Sequence, residues 1–271
     1  MLECVINISE GRDVGVLHTL GVRCTSALLD AHIDPDHNRT VFTLAGPEVI
    51  PAAQALIRAA VESLDISRHH GVHPRIGIVD VVPFVALEGS TVQDAIDARN
   101  ELGRWAADSL GIPVFLYGEE RTLPDIRKHA FASLAPDLGP TTPHPTAGGI
   151  ALGHRKPLVA YNIWLSEQDK NKAQDIARGM RSHTVRALAL RVGNTKQVSL
   201  NLLDPIRFGP KEAFNYVDQL ARIDRTELVG LMPEAALERI SPEYWEVLDL
   251  DTDRTIENRL GHLLKAQQGH T

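Results

Sequence analysis

The sequence predicts an α/β fold of the α+β kind, built on mixed sheets. Three observations lead there. Short apolar, β-branched runs occur back to back, as at 27–33 and 40–45, with only a polar loop between them. Elsewhere such runs alternate with helix-length stretches of helical apolar period. This mixture of β-β pairs and β-α alternation argues against a Rossmann order. Finally, residues 134–156 carry Pro136, Pro140, Pro143 and Pro145 with Gly139, Gly148, Gly149 and Gly153. A stretch of that composition reads as a long ordered loop or linker, and loops of this length are usually functional or flexible. The chain is therefore expected to divide just after it, into 1–155 and 156–271.

The elements follow in order. Residues 2–8 read as a buried strand, closed by the polar turn Asn7-Ile8-Ser9-Glu10-Gly11. A helix is expected over 14–26, then strands over 27–33 and 40–45. Pro47 and Pro51 open an alanine-rich helix to about Leu64. Residues 76–87 form a β-branched strand interrupted at Pro83. Thr91 is placed to cap a helix reaching Leu110, and 114–117 is a short buried strand. Asp125, Arg127 and Lys128 read as a solvated helix face. Beyond the loop, a strand is expected at 157–165, a helix at 167–181 and one or two strands across 187–202. A helix at 211–222, a strand at 227–231 and a short helix at 233–240 complete the pattern, with a last helix or frayed tail from Asp249.

Composition narrows the function. The 271 residues are 43% hydrophobic, enough for a core, and carry a net charge of -7. That balance argues against general nucleic-acid binding, which needs a basic surface, while leaving room for a local basic pocket. Two cysteines imply no disulfide framework. No apolar run reaches membrane-spanning length, and Met1-Leu2-Glu3-Cys4-Val5 lacks the basic start of a signal peptide. A cytoplasmic protein with reduced thiols is expected.

Two polar clusters stand out. Gly71-Val72-His73-Pro74-Arg75-Ile76-Gly77-Ile78-Val79-Asp80 packs a histidine, an arginine and an aspartate into a stiff loop; upstream lie His32, Asp34, Asp36, His37, Asn38 and Arg39. Titratable groups so dense between apolar runs are expensive in a core and fit the lining of a site. Taken alone, His73 reads better as a structural or capping histidine than as a functional one. The His32 to His37 run superficially resembles a metal-binding loop, but Pro35 inside it argues against that, and no metal is expected.

Separated motifs give a resemblance. Asn7-Ile8-Ser9-Glu10-Gly11, Asn38-Arg39-Thr40-Val41-Phe42-Thr43, Ser67 to Arg75 leading into Asp80-Val81-Val82-Pro83-Phe84, Tyr117-Gly118, Arg121-Thr122-Leu123-Pro124, Pro136-Asp137-Leu138-Gly139-Pro140, His144-Pro145-Thr146-Ala147-Gly148, Ala160-Tyr161-Asn162, Val198 to Leu202 and Leu228-Val229-Gly230-Leu231 keep one order and spacing. Together they resemble the formiminotransferase domain of glutamate formiminotransferases, over most of residues 2–240. The resemblance implies two α/β subdomains, each a mixed β-sheet backed by helices, with a ligand groove between them. It implies transfer of a formimino group from N-formiminoglutamate to N5 of tetrahydrofolate, a co-substrate, in histidine degradation. It also implies a homodimer and a separate cyclodeaminase acting downstream.

Site residues follow from the matching blocks. His73 is the implied general base, a role that suits an imidazole near neutral pH. Pro74 biases it toward extended backbone. Arg39, Arg75 and Arg121 are guanidinium forks suited to substrate carboxylates. Asp34 and Asp80 suit orienting a histidine or binding the guanidine-like edge of a pterin, and Asn7, His32 and Asn38 complete that lining. Gly139, Pro140, Thr141, Thr142, Pro143, His144, Pro145, Thr146, Ala147 and Gly148 align with a folate-contacting segment. On a strand, Asn162 and Trp164 share a face, which places Trp164 toward the groove, to stack on a pterin or to fill its space. Ile6, Ile78, Gly149, Trp164 and a short 218–228 connection depart from the family pattern. The group moved is formimino or formyl, and the alternatives are a metal-dependent C–N hydrolase, a divergent family member with another amine substrate, and a folate-binding relative without turnover.

Overall fold

The computed structural model describes residues 1–71 and 75–269. The chain falls into two compact units, Met1–Lys156 and Pro157–Thr271. The first carries β1 (Leu2–Ile8), α1 (Val14–Arg23), β2 (Leu28–Asp34), β3 (Arg39–Ala45), α2 (Val49–Ser63), β4 (Val79–Ala86), α3 (Val92–Leu110), β5 (Val114–Tyr117), α4 (Leu123–His129) and β6 (Ile150–His154). Its six strands run in the order β2-β3-β1-β4-β6-β5. The β2, β3, β1 and β4 pairings are antiparallel, and β6 lies parallel to both β4 and β5.

Local chemistry explains these elements. Thr91 caps α3 as expected, and Asp94 returns the bond to form a capping box, while Gly111 closes the helix at φ 64°. In α2 the buried residues Val49, Ala52, Ala53, Leu56, Ile57 and Ala60 repeat at helical spacing and form its core face. They pack with Ile6, Phe42, Leu44 and Phe84 of the sheet. On the sheet's other side, Val81, Phe115, Tyr117 and Ala151 pack with Ile126 of α4.

The structure corrects two expectations in this unit. The 134–156 stretch is not one long loop, because β6 occupies 150–154 and sits between two other strands. Its apolar run is only Ile150-Ala151-Leu152 before Gly153, too short to stand out beside glycines and prolines. Parallel ladders on both sides make it a strand. Gly153 pairs with Tyr117, and a Cβ there would lie 2.4 Å from the Tyr117 ring, so only glycine fits. Second, β4 continues through Pro83, which pairs with Gly153 in the parallel ladder.

The second unit holds β7 (Val159–Leu165), α5 (Ala173–Met180), β8 (Val185–Val192), β9 (Thr195–Leu202), α6 (Pro210–Asp218), β10 (Ile223–Val229), α7 (Glu234–Leu237) and α8 (Ile256–Gln268). Its sheet, ordered β10-β7-β9-β8, is antiparallel throughout rather than mixed. The 187–202 run resolves into two strands turned at Gly193-Asn194, with Gly193 at φ 57°, as a two-residue hairpin requires. The helix expected to reach 222 ends at Asp218, because pairing of Ile223 with Leu165 draws the chain into β10. Ala173, Ile176, Ala177 and Met180 of α5 pack on the sheet beside Tyr161, Ile163 and Leu200. Among the described residues, no helix is long and apolar enough to cross a membrane.

Candidate active site

In the first unit, three separated segments meet at the end of β1. Ser9 donates its backbone N–H to Ile78 O at 2.7 Å and its hydroxyl to Gly77 O at 2.9 Å. Thr40 donates its hydroxyl to Glu10 O at 2.7 Å. Gly11 is obligatory, since a Cβ there would lie 2.3 Å from Asp34 O and 2.5 Å from Arg39 N.

Asn38 is the central tie. It sits in the β2–β3 turn at φ 52°, a conformation asparagine tolerates better than most residues, and is 7% exposed. Its Oδ1 accepts the Gly11 N–H at 2.9 Å, which fixes the amide's orientation. Its Nδ2 then donates to His70 O at 3.0 Å and contacts His69 Nδ1 at 3.3 Å. One side chain thus joins the Asn7 block, the turn and the histidine-rich loop.

A pocket opens there, lined by Asn7, Ile8, Ser9, His37, Asn38, Arg39, Arg75 and Asp80. Asn7 donates from Nδ2 to Val81 O at 3.2 Å, and its Oδ1 accepts from the Arg39 guanidinium. Asp80, 3% exposed, accepts the Ile76 N–H at 2.8 Å and a two-pronged contact from Arg127 at 2.5 and 3.0 Å. Arg127 is therefore no solvated helix residue; it anchors α4 to the pocket's carboxylate. Burial pulls the Arg39 guanidinium down to about 10, an effect that Asp80 opposes and that Arg127 and Arg75 reinforce. Burial likewise lowers Arg75, with Asp80 opposing and Arg127 adding. Arg39, Arg75 and Arg127 thus share Asp80, leaving a local positive excess on an acidic chain. Asp34 is pushed up by burial, yet hydrogen bonds from the ring and backbone of His37 outweigh this and hold it below the usual carboxylate range.

The 139–148 segment divides. Thr141, Thr142, Pro143 and Pro145 are exposed, as are Gly139 and Pro140. His144 folds back on Gly148 through two 2.9 Å backbone bonds, and its Nδ1 accepts from Ala147 N at 3.1 Å. Thr146 O accepts from Ile66 N at 2.7 Å, Ala147 O from Ile78 N at 2.9 Å, and Gly148 bridges to Gly77. The segment is accordingly stitched to both flanks of the Gly71–Asp80 run.

Other expected residues are placed elsewhere. Val72, His73 and Pro74, including the implied general base, lie outside the described residues. Arg121 is not a ligand fork of this pocket: it is held by Asp137 at 2.5 and 2.9 Å and by Leu116 O at 2.7 Å. His32 pairs with Val41 on β2, and His37 is the histidine that contacts Asp34. In the second unit, Asn162 and Trp164 do share a face, and both donate to Glu227 Oε2, at 3.0 and 3.3 Å. The Arg225 guanidinium covers the Trp164 ring at 3.8 Å, so that ring face is already stacked. Gln197, opposite Trp164 on β9, is fully buried, and neither of its amide atoms has a hydrogen-bond partner among the described residues.

Arg127 and Gln197 escaped the sequence reading as site residues, and His37 stood in the upstream polar cluster without a role of its own. Asp34-Pro35-Asp36-His37 carried a usable signal for His37, because an aspartate opening a turn commonly bonds the backbone a few residues on. Arg127 and Gln197 carried none. Among the described residues, no group of three or more histidine, cysteine, aspartate or glutamate side chains could hold a metal ion.

Comparison with known proteins follows this geometry. Residues 1–155 match the family model described as the formiminotransferase domain, N-terminal subdomain. The chain belongs to the formiminotransferase family. It is 33% identical to the glutamate formimidoyltransferase of Streptococcus pyogenes serotype M1, over 96% of this chain and 98% of that protein. It is 32% identical to the enzyme of the same description in Thermoplasma acidophilum, over 96% and 97%. With the formimidoyltransferase-cyclodeaminase of Sus scrofa it shares 35% identity over 96% of this chain and 56% of that longer protein. The formiminotransferase subdomain matched by the family model coincides with the unit that holds the pocket.

Proposed function

We propose that the chain is a one-carbon transferase moving a formimino group from N-formiminoglutamate to N5 of tetrahydrofolate. The observation that carries this reading is the pocket itself. Asn7, Asn38, Arg39, Arg75 and Asp80, drawn from separate family blocks, line one cavity, in a chain whose relatives of matching length are named glutamate formimidoyltransferases. In the proposed reaction, Arg39 and Arg75 receive carboxylate of the donor, because guanidinium matches a carboxylate in forked geometry. The folate amine bonds to the formimino carbon and releases its proton to His73. The carbon–nitrogen bond to glutamate then breaks, and the departing nitrogen gains a proton. No covalent enzyme intermediate is needed, so positioning and proton transfer supply the rate.

In this reading the second unit is the C-terminal subdomain. The protein works as a cytoplasmic homodimer, and a separate cyclodeaminase consumes the product. Tetrahydrofolate is a co-substrate, and no metal takes part. The test is a coupled assay of N-formiminoglutamate with tetrahydrofolate, reading free glutamate. The expected result is turnover that falls about 10²–10⁴-fold in His73→Ala with folate affinity retained. Glutamate release no faster than in His73→Ala contradicts the assignment.

A further inference from the structure

Asp34 and His37 form an arrangement that this reaction scheme does not use. The Asp34 carboxylate holds one histidine at two points: Oδ1 accepts the His37 backbone N–H at 2.9 Å, and Oδ2 contacts ring Nδ1 of the same residue. Backbone and ring are thereby fixed to a single carboxylate, in a turn that Pro35 stiffens. With Nδ1 so engaged, Nε2 is the nitrogen left for chemistry. It is buried and has no hydrogen-bond partner among the described residues, on a side chain that lines the pocket and whose residue is 6% exposed. An unpartnered buried polar atom is unfavourable, and a hydrogen bond to a bound molecule removes that cost.

We propose that His37 is a second proton carrier of the transfer, with Asp34 as its positioning residue. The proposal rests on the formimino transfer argued above. That reaction has two proton events: the folate amine loses a proton as its bond to the formimino carbon forms, and glutamate nitrogen gains one as its bond to that carbon breaks, keeping the electron pair. His73 accepts the first. The Nε2–H of protonated His37 supplies the second, and the two rings then exchange one proton with water to reset. Asp34 fixes the ring's orientation, the role a carboxylate plays behind a catalytic imidazole. His69 is a poorer candidate. Its Nε2 is likewise buried without a partner among the described residues, but it does not line the pocket and no carboxylate holds its ring.

The test uses the full chain, tetrahydrofolate and two donors: N-formiminoglutamate, and a formimino compound whose leaving group is a weakly basic aromatic amine. Such a leaving group departs with little need of a proton. With N-formiminoglutamate, His37→Gln is expected to lower kcat about 10²–10³-fold while KM changes less than about twofold. Asp34→Asn lowers kcat about tenfold, and the double variant matches His37→Gln, as expected for groups acting as one unit. With the aromatic-amine donor, the His37→Gln loss shrinks below about tenfold. Folate affinity and the urea midpoint, read on the same samples, report folding, and His37→Asn, which keeps an amide near the Nδ1 position, is the second variant. Wild-type kcat in both His37 variants overturns the proposal, as does an equal loss with the two donors. Absence of wild-type turnover overturns instead the formimino transfer on which it rests.

Discussion

The pocket of the first unit and the polar sheet face of the second are built by opposite routes. In the second unit, Asn162, Trp164, Arg225 and Glu227 lie on adjacent strands, brought together by the register pairs Asn162↔Glu227 and Trp164↔Arg225. One antiparallel ladder is enough to place them, and they satisfy one another. In the first unit, Asn7, Asn38, Asp80 and Arg127 come from segments far apart in the chain and are tied by crossing hydrogen bonds. A ladder tolerates the loss of one side chain, because backbone bonds still set the register. A crossing network does not, because each side chain is itself the connection.

Asp80→Ala breaks the comparison most forcefully. It removes the carboxylate that Arg127 grips beside Arg39 and Arg75, and with it the acceptor of the Ile76 N–H. Breaking a buried pair from one side costs about 3–5 kcal/mol, to be read as a lowered urea midpoint. Gly11→Ala forces backbone apart at Asp34 and Arg39 and is expected to cost about 1–3 kcal/mol, with loss of donor binding. In the second unit, Arg225→Ala uncovers Trp164 and costs about 0.5–1 kcal/mol, with the midpoint nearly unchanged. If Arg225→Ala destabilises as much as Asp80→Ala, the contrast between ladder and network fails.

The smallest effect is acid dependence. Because the folded protein holds Asp34 below its usual range, its contribution to stability is complete above the unfolded value of about 3.9 and is lost as pH falls through the folded value. Urea midpoints of wild type and Asp34→Asn should therefore differ most near neutral pH and converge toward pH 2. A gap that widens on acidification contradicts the Asp34–His37 assignment.

The same contrast explains what the sequence made legible. Elements set by local chemistry were readable: Thr91 caps an α3 that reaches Leu110, and the alanine periodicity of α2 marks its buried face. Where long-range pairing decides, the reading failed. β6 is a strand because β4 and β5 flank it, and α6 ends early because β10 pairs with β7. At the site, motif blocks identified Asn7, Asn38, Arg39, Arg75 and Asp80, which the fold gathers into one pocket. Side-chain pairing was not legible. Arg121 and Arg127 both sit near the same helix, yet Arg121 closes on Asp137 and Arg127 reaches Asp80. Only the packing of α4 against β4 and β5 selects between them.

The central claim, that the first unit's pocket receives the donor's carboxylate, is tested most directly by calorimetric titration of N-formiminoglutamate into the full chain and into Arg39→Gln. A charged hydrogen bond contributes about 1.5–3 kcal/mol, so the variant should bind the donor about 10–150-fold more weakly with tetrahydrofolate affinity unchanged. Equal donor affinity in the two proteins would place the carboxylate elsewhere and contradict the account.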